Sequence, residues 1–349
     1  MNNVLSQEYN CEGCGGNLTY DADTQTMLCE YCGSCREVKT NGNKLRLKVP
    51  FSKDLEYAGL NDAKHIYKCE FCDTDVASCN DIKVAKCPAC GSSKLIETNG
   101  SGVHPLNIAP FKISKEKASN IFKKWISNRV FSPNDLKKMA KLKKVTGVYI
   151  PTYFYDFKTA TDYEVKCYNE YKDSDGDTHK TYYYKSGRSF GNYQNVKIFA
   201  NDKYDDYYLK KVALGDSLDI RPYSIEYMLG FLGAKTEISV QQSYERLKEL
   251  AITLEKRRIT SDFKKHYDGV ARIETNIEIS DIFNSYIYLP VWINHFSYKG
   301  KDYKCFINGQ DGTIYGKTPK SFWKIFGLVV GVIAGIVLTT LGVRLLTSL

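Results

Sequence analysis

Residues 11–34 read CEGCGGNLTYDADTQTMLCEYCGS, and residues 69–92 read CEFCDTDVASCNDIKVAKCPACGS. Both stretches obey C-x2-C-x14-C-x2-C and close on Cys-Gly-Ser. Two residues between cysteines let a tight turn aim both thiolates at one point. Two such turns facing each other supply four sulfurs at about 2.3 Å from a tetrahedral zinc ion. Cys11, Cys14, Cys29 and Cys32 are the expected ligands of one ion, and Cys69, Cys72, Cys87 and Cys90 those of a second. Gly15, Gly33 and Gly91 follow their cysteines where a metal knuckle readily takes positive φ, and Asp73, which tolerates that region, follows Cys72. The residues between the pairs suit short strands and a turn, the pattern of a zinc ribbon. A closed four-thiolate site is structural, because catalytic zinc keeps a position open for water. Neither stretch is long enough to bury a core unaided, so Zn2+, two per chain, would supply folding energy.

Other uses of these cysteines fit less well. A redox dithiol usually appears as one C-x-x-C at a helix start in a βαβ setting, which this pattern lacks. Cys35 extends one pair to C-x2-C-x2-C, yet the fourth cysteine of an iron-sulfur run is missing. Cys35, Cys79, Cys167 and Cys305 read as free or packing thiols, and His65 is a spare ligand that four thiolates make unnecessary. The chain has 349 residues, 43% apolar and 26% charged, an ordinary balance for a folded protein. Its twelve cysteines are too few for a disulfide scaffold of that length, and no apolar run opens the chain. A reducing compartment is expected.

Residues 325–343, IFGLVVGVIAGIVLTTLGV, carry no charge. As a helix rising about 1.5 Å per residue they would span roughly the 30 Å of a bilayer's hydrocarbon, with Trp323 and Lys324 at one interface. Lys317, Lys320 and Lys324 precede the span and Arg344 alone follows it. Positive charge stays inside, so the expectation is a single-pass tail anchor in the cell membrane with the N-terminal domains in the cytoplasm. Gly327, Gly331 and Gly335 share one face of that helix, where two copies can approach closely and form a homodimer.

The region between reads as a mixed α+β domain. Ala118, Ile121, Phe122, Trp125 and Ile126 share a helical face, and Ser132-Pro133 reads as the cap of a second helix. From Lys112 to Lys144 eleven Lys and Arg face two acidic residues, an excess equal to the +9 net charge of the whole chain. Such a stretch suits a solvated helical face, an anionic membrane surface or nucleic acid. Next come Tyr-rich segments, GVYIPTYFYDFKTATDYEVKCY and THKTYYYKSGRSFGNYQNVKIFA, which predict antiparallel strands. Tyr244, Leu247, Leu250, Ala251 and Leu254 form a helical stripe, and strands return in SYIYLPVWINHFSYKGKDYKCFINGQDGTIYG. VYIPTYFYDF resembles IYLPVWINHF, which suggests two related β units that pair. Pro151 and Pro290 would then favour strand starts, bulges or edges. The expected organisation is a ribbon over 1–40, a linker over 41–65, a second ribbon over 66–98, the α+β domain over 103–319 and the transmembrane helix over 322–346.

The paired cysteine sets, LNIAPFKISKEKASNIFKKWI, GVYIPTYFYDF, YLPVWINHFSYKGKDYKCFINGQDGTIYG and the apolar helix together resemble a family of bacterial transcription-factor-IIB-type zinc-ribbon membrane proteins. Its members are also described as primosomal replication-restart helicase-like. The resemblance covers most of the chain and implies metal binding at the same eight cysteines. It implies nothing catalytic. The string Gly312 to Thr318 is one residue short of a phosphate-cradling loop and runs into Pro319, and Asp173, Asp175 and Asp177 lack the glycine placement and distal Glu of a calcium loop. No helicase, NTPase or other catalytic constellation is found, so the protein is expected not to be an enzyme.

Two function classes remain. One is a membrane-tethered scaffold or adaptor whose ribbons and α+β domain bind a protein partner. The alternative is a membrane-held nucleic-acid binder using basic helices over residues 112–144. The first cysteine set holds Glu12, Asp21, Asp23 and Glu30 and no Lys or Arg between its outer cysteines, which would repel phosphate. The adaptor reading is preferred.

Overall fold

The computed structural model describes residues 10–39, 48–52, 65–69, 75–78, 95–98, 107–136, 141–202, 207–212 and 218–347. In chain order they form strands β1 (Leu18–Asp21), β2 (Thr26–Cys29), β3 (Cys35–Arg36), β4 (Val49–Pro50), β5 (His65–Cys69), β6 (Asp75–Ser78), β7 (Leu95–Thr98) and β8 (Asn107–Ile108), then helix α1 (Lys115–Ser127). Strands β9 (Lys141–Lys172) and β10 (Thr178–Phe199), helix α2 (Tyr207–Val212), and strands β11 (Arg221–Pro222) and β12 (Leu232–Ala234) follow. Helix α3 (Val240–Phe263), strands β13 (Gly269–Tyr298), β14 (Lys301–Asn308) and β15 (Ile314–Gly316), and helix α4 (Phe322–Thr347) complete the chain. The fold is α+β, as expected.

Two long strands, β9 and β13, organise everything else. They pair antiparallel from Gly269 opposite Tyr168 to Ser297 opposite Lys141. The two Pro-containing segments that resemble one another in sequence lie directly against each other, with Pro151 opposite Tyr288 and Pro290 opposite Tyr149. Around that point the connections repeat with approximate twofold symmetry. β12 runs parallel to β9 at Val148 and Tyr149, after which β10 takes over antiparallel from Thr152. β8 runs parallel to β13 at Ile287 and Tyr288, after which β14 takes over antiparallel from Val291.

The prolines therefore correct the expectation that they would mark strand starts, edges or bulges. Both sit inside central strands, each where the neighbouring strand changes. The carbonyl of Pro151 accepts from Ala200 N at 2.8 Å, and that of Pro290 accepts from Gly309 N at 2.9 Å. In an extended strand a residue's nitrogen points to the same side as its carbonyl, so each ring nitrogen faces a residue whose own carbonyl has no ladder donor opposite it. That carbonyl is used elsewhere. Ala200 O accepts from Glu237 N (2.8 Å) and Ile238 N (3.1 Å), and Gly309 O accepts from Lys112 N (2.8 Å) and Ile113 N (2.9 Å). One residue later each chain starts a helix, capped by Ser239 for α3 and Ser114 for α1.

Both helices lie on one face of the sheet. Phe122 and Trp125 of α1 pack with Tyr149, Tyr288, Trp292 and Phe296, whereas Leu247 and Ala251 of α3 pack with Tyr153, Tyr155, Phe157 and Tyr286. The alternate residues Val148, Ile150, Leu289, Val291 and Ile293 face the other way, where Leu209 and Val212 of α2 cover them. Beyond bulges at Tyr193/Val196 and Ser280/Phe283, β10, β9 and β13 continue as a three-stranded arm. Ile259 packs α3 on one face of it against Val165 and Cys167. The opposite face leaves Tyr182, Tyr184 and Phe190 exposed. Lys166 Nζ lies 4.3 Å from the Tyr182 ring centre, and Lys180 Nζ lies 4.0 Å from that of Tyr168. The arm ends in a solvated turn, where Asp173 Oδ1 accepts from the backbone N–H groups of Asp175 (3.0 Å) and Asp177 (2.9 Å).

The basic stretch does not form one helical surface. Lys115 to Ser127 is helix, but Lys141 to Lys144 already belongs to β9. The second helix expected after Ser132 falls largely on residues 137–140, outside the described residues.

Candidate metal centre

The first cysteine set is held by two knuckles with the same hydrogen bonding. Gly15 N donates to Cys11 O (2.8 Å) and Cys11 N to Gly16 O (2.7 Å), while Gly33 N donates to Cys29 O (3.0 Å) and Cys29 N to Ser34 O (2.9 Å). The bend needs positive φ, supplied by Gly15 at 71° and Gly33 at 74°. Between the knuckles β1 and β2 pair antiparallel, Leu18 opposite Cys29, and β3 adds a third strand. The result brings the sulfurs of Cys11, Cys14, Cys29 and Cys32 within 4.8 Å of one another. Cys11 Sγ and Cys32 Sγ are 3.5 Å apart, as are Cys14 Sγ and Cys29 Sγ. A tetrahedron with metal–sulfur bonds of about 2.3 Å has edges of about 3.8 Å, so these four thiols fit a zinc-sized ion.

The electrostatics favour a cation. Ser34 Oγ sits 2.9 Å from Cys11 Sγ and 3.1 Å from Cys32 Sγ, placed to donate to a thiolate. That hydroxyl, helped by the Gly13 and Cys14 backbone, lowers Cys11 to about 6, and Ser34 also lowers Cys32. For Cys14 the Gly16 N–H favours the thiolate, but crowding by the Cys29 and Cys32 thiols prevails and pushes it up to about 12. Four thiolates this close coexist only around a positive ion. Cys35 is exposed and lies outside the group.

The centre is built into the α+β domain. Cys11, Leu18, Tyr20, Met27 and Cys29 share one hydrophobic core with Phe111, Phe122 and Tyr227. Arg36 donates two hydrogen bonds to the buried carboxylate of Glu226 (3.1 and 2.7 Å), which also accepts from Lys39 N at 2.7 Å. Glu226 lies in a 3-10 turn, Ile225–Met228, and just beyond it Leu229 O accepts from Tyr20 N at 3.0 Å. Tyr20 OH reaches Phe111 O at 3.0 Å. Spacing reveals neither Ser34 nor the Arg36–Glu226 pair as part of the centre. The repeated Cys-Gly-Ser ending was the available signal for Ser34.

For the second set, β5 pairs with β6 and β7 antiparallel, and Cys69 is the last residue of β5. β6 in turn pairs with β12, which joins these strands to the main sheet. Cys72, Cys87 and Cys90 lie outside the described residues. At the other end of the chain, Phe322–Thr340 of α4 is long and apolar enough to cross a membrane, with none of it buried against the protein. A Cβ added at Gly327, Gly331 or Gly335 would meet nothing within 4 Å.

Among known proteins, the chain is similar to the uncharacterized protein YdjG of Bacillus subtilis (strain 168), at 24% identity over 330 residues that make up 94% of each chain. No family model matches the chain, and no solved structure matches it.

Proposed function

We propose that the protein is a membrane-tethered zinc-ribbon adaptor: two Zn2+ ions shape its N-terminal segments, α4 spans the bilayer, and the cytoplasm-facing domains bind a protein partner without catalysing a reaction. The observation that carries this reading is the pairing of four convergent thiols at one end with an unburied apolar helix at the other. The closed sulfur set suits architecture rather than reactivity. Lys317, Lys320 and Lys324 before the span support a cytoplasmic N-terminal portion. The glycines at 327, 331 and 335 support close approach of two copies.

Nucleic-acid binding is less favoured, because residues 112–144 divide between a helix and a strand, and the acidic residues of the first cysteine set would repel phosphate. The deciding experiment is proximity labelling in cells with the full chain and with Cys14→Ser. A labelled protein partner that depends on the intact centre supports the adaptor. Salt-sensitive retention of DNA or RNA, lost when lysines between Lys112 and Lys144 are neutralised, would replace it with the nucleic-acid reading.

A further inference from the structure

The turn between α1 and β9 is an unusual piece of surface. Arg129, Val130 and Phe131 are all exposed, Val130 at 74% and Phe131 at 45%. Two apolar side chains at the tip of a turn have no evident use in water. Their position supplies one. Ser321 N donates to Phe131 O at 2.7 Å, and Lys324 Nζ donates to Val130 O at 2.9 Å. These bonds fasten the turn to the first turn of α4, beside Phe322 (71% exposed) and Trp323 (77% exposed). Aromatic residues followed by a last lysine mark the level at which a helix enters the hydrocarbon. A loop hydrogen-bonded to that lysine is held at the same depth.

We propose that residues 128–131 form a second, interfacial contact with the bilayer, in which Val130 and Phe131 enter the boundary between headgroups and acyl chains next to Trp323. This rests on the reading of α4 as a membrane span. Its occupant is lipid, because the apolar tip is continuous with the exposed surface of the span. Arg129, whose guanidinium lies 4.5 Å from the Trp125 ring centre, stays at headgroup level where phosphates are its partners. A single helix fixes how far the domain stands from the membrane but leaves it free to swivel. A second contact beside the first removes that freedom and gives the domain one orientation.

The test uses the full chain reconstituted into phosphatidylcholine–phosphatidylglycerol vesicles carrying lipids brominated near the top of the acyl chain, which quench tryptophan at that depth. Trp125 and Trp292 are 7% and 5% exposed and shielded by the core, so quenching in the parent reports Trp323 and should vanish in Trp323→Phe. Adding Val130→Trp to Trp323→Phe, at a site with ample space, should restore about half or more of the parent's quenching. If Trp323 is quenched but the tryptophan at position 130 is not, the interfacial contact is refuted while the anchor stands. Absence of quenching in the parent itself would remove the span, and this contact with it.

Discussion

Pro151 on β9 stands opposite Tyr288 on β13, and the relationship repeats in reverse two pairs further on, where Pro290 stands opposite Tyr149. The repetition extends past the sheet. Ala109 to Ser114 (APFKIS) and Ala234 to Ser239 (AKTEIS) occupy the same place in each half, between a short parallel strand and a capped helix. The domain is thus two β-α-β-β units that exchange their first strands, β8 pairing with β13 and β12 with β9. Proline's missing donor is what leaves Ala200 O and Gly309 O free to hold the chain leading into each helix.

Pro151→Ala and Pro290→Ala would each introduce an N–H that competes for, or is orphaned beside, an occupied carbonyl. Each should destabilise the domain by about 1–3 kcal/mol. Hydrogen exchange should speed up at the Ile238 amide in the first variant and at the Ile113 amide in the second. Unchanged exchange at these amides would show that the prolines play no such part.

Metal analysis of the purified full chain should find two zinc ions, falling to one in Cys14→Ser. A chelator should remove metal more readily as the pH falls, since each ligand must lose its proton to bind. Because Tyr20 and Met27 belong to the main core, loss of the first ion should also weaken the α+β domain. Equal metal content in Cys14→Ser and the parent would refute the ligand assignment.

Glu226 has a side chain only 4% exposed, and Arg36 is its charged partner. Arg36→Ala leaves that carboxylate facing only neutral donors and should cost about 3 kcal/mol, measured by chemical denaturation in detergent. Replacing both residues with apolar ones of similar volume should cost less than Arg36→Ala alone. A larger loss in the double variant would show that the pair is not the fastening it looks to be.

On α3, Glu255 is fully buried, where it accepts from Thr161 Oγ1 (2.8 Å), Tyr193 OH (2.5 Å) and Arg258 (2.6 Å). Burial alone would raise its carboxyl, but Arg258, Tyr193 and the threonines outweigh that and hold it at about 2, below its ordinary 4.5. A depressed folded value means the contribution is complete above pH about 4.5 and is lost as the pH falls toward 2. The amount is about 2 kcal/mol, allowing for partial exposure of Arg258. Thermal unfolding of Glu255→Gln should therefore vary less between pH 5 and 3 than that of the parent, a difference on this scale. Identical slopes would assign the acid sensitivity to other groups.

The sequence announced some of this plainly. Cysteine spacing is a direct record of metal geometry, and the four sulfurs of the first set converge as the spacing predicts. An uncharged run of nineteen residues needs no tertiary context to be read as a helix long and apolar enough to cross a membrane, and α4 is such a helix. The hairpin of β9 and β10 showed in its β-branched and aromatic content. The first half of β13 did not, because residues 269–284 alternate Ile with Arg, Glu and Asn on an arm that is largely solvated. The duplication was visible only at the prolines. Elsewhere α3 is 24 residues and α1 is 13, so the two copies fall out of register and only short signatures survive. The mid-strand prolines defeat a rule that holds for continuous ladders, because the neighbouring strand ends there.

β9 runs for 32 residues to the hairpin turn that begins at Asp173. At about 3.3 Å per residue that is roughly 100 Å of continuous extended chain, some three times the thickness of a bilayer's hydrocarbon. The tyrosine-bearing arm thus carries its turn far from the paired prolines at the centre of the sheet. Whatever engages its tip pulls on that centre through three strands that share one ladder, so a force applied at the turn is carried to the prolines without passing through a flexible joint.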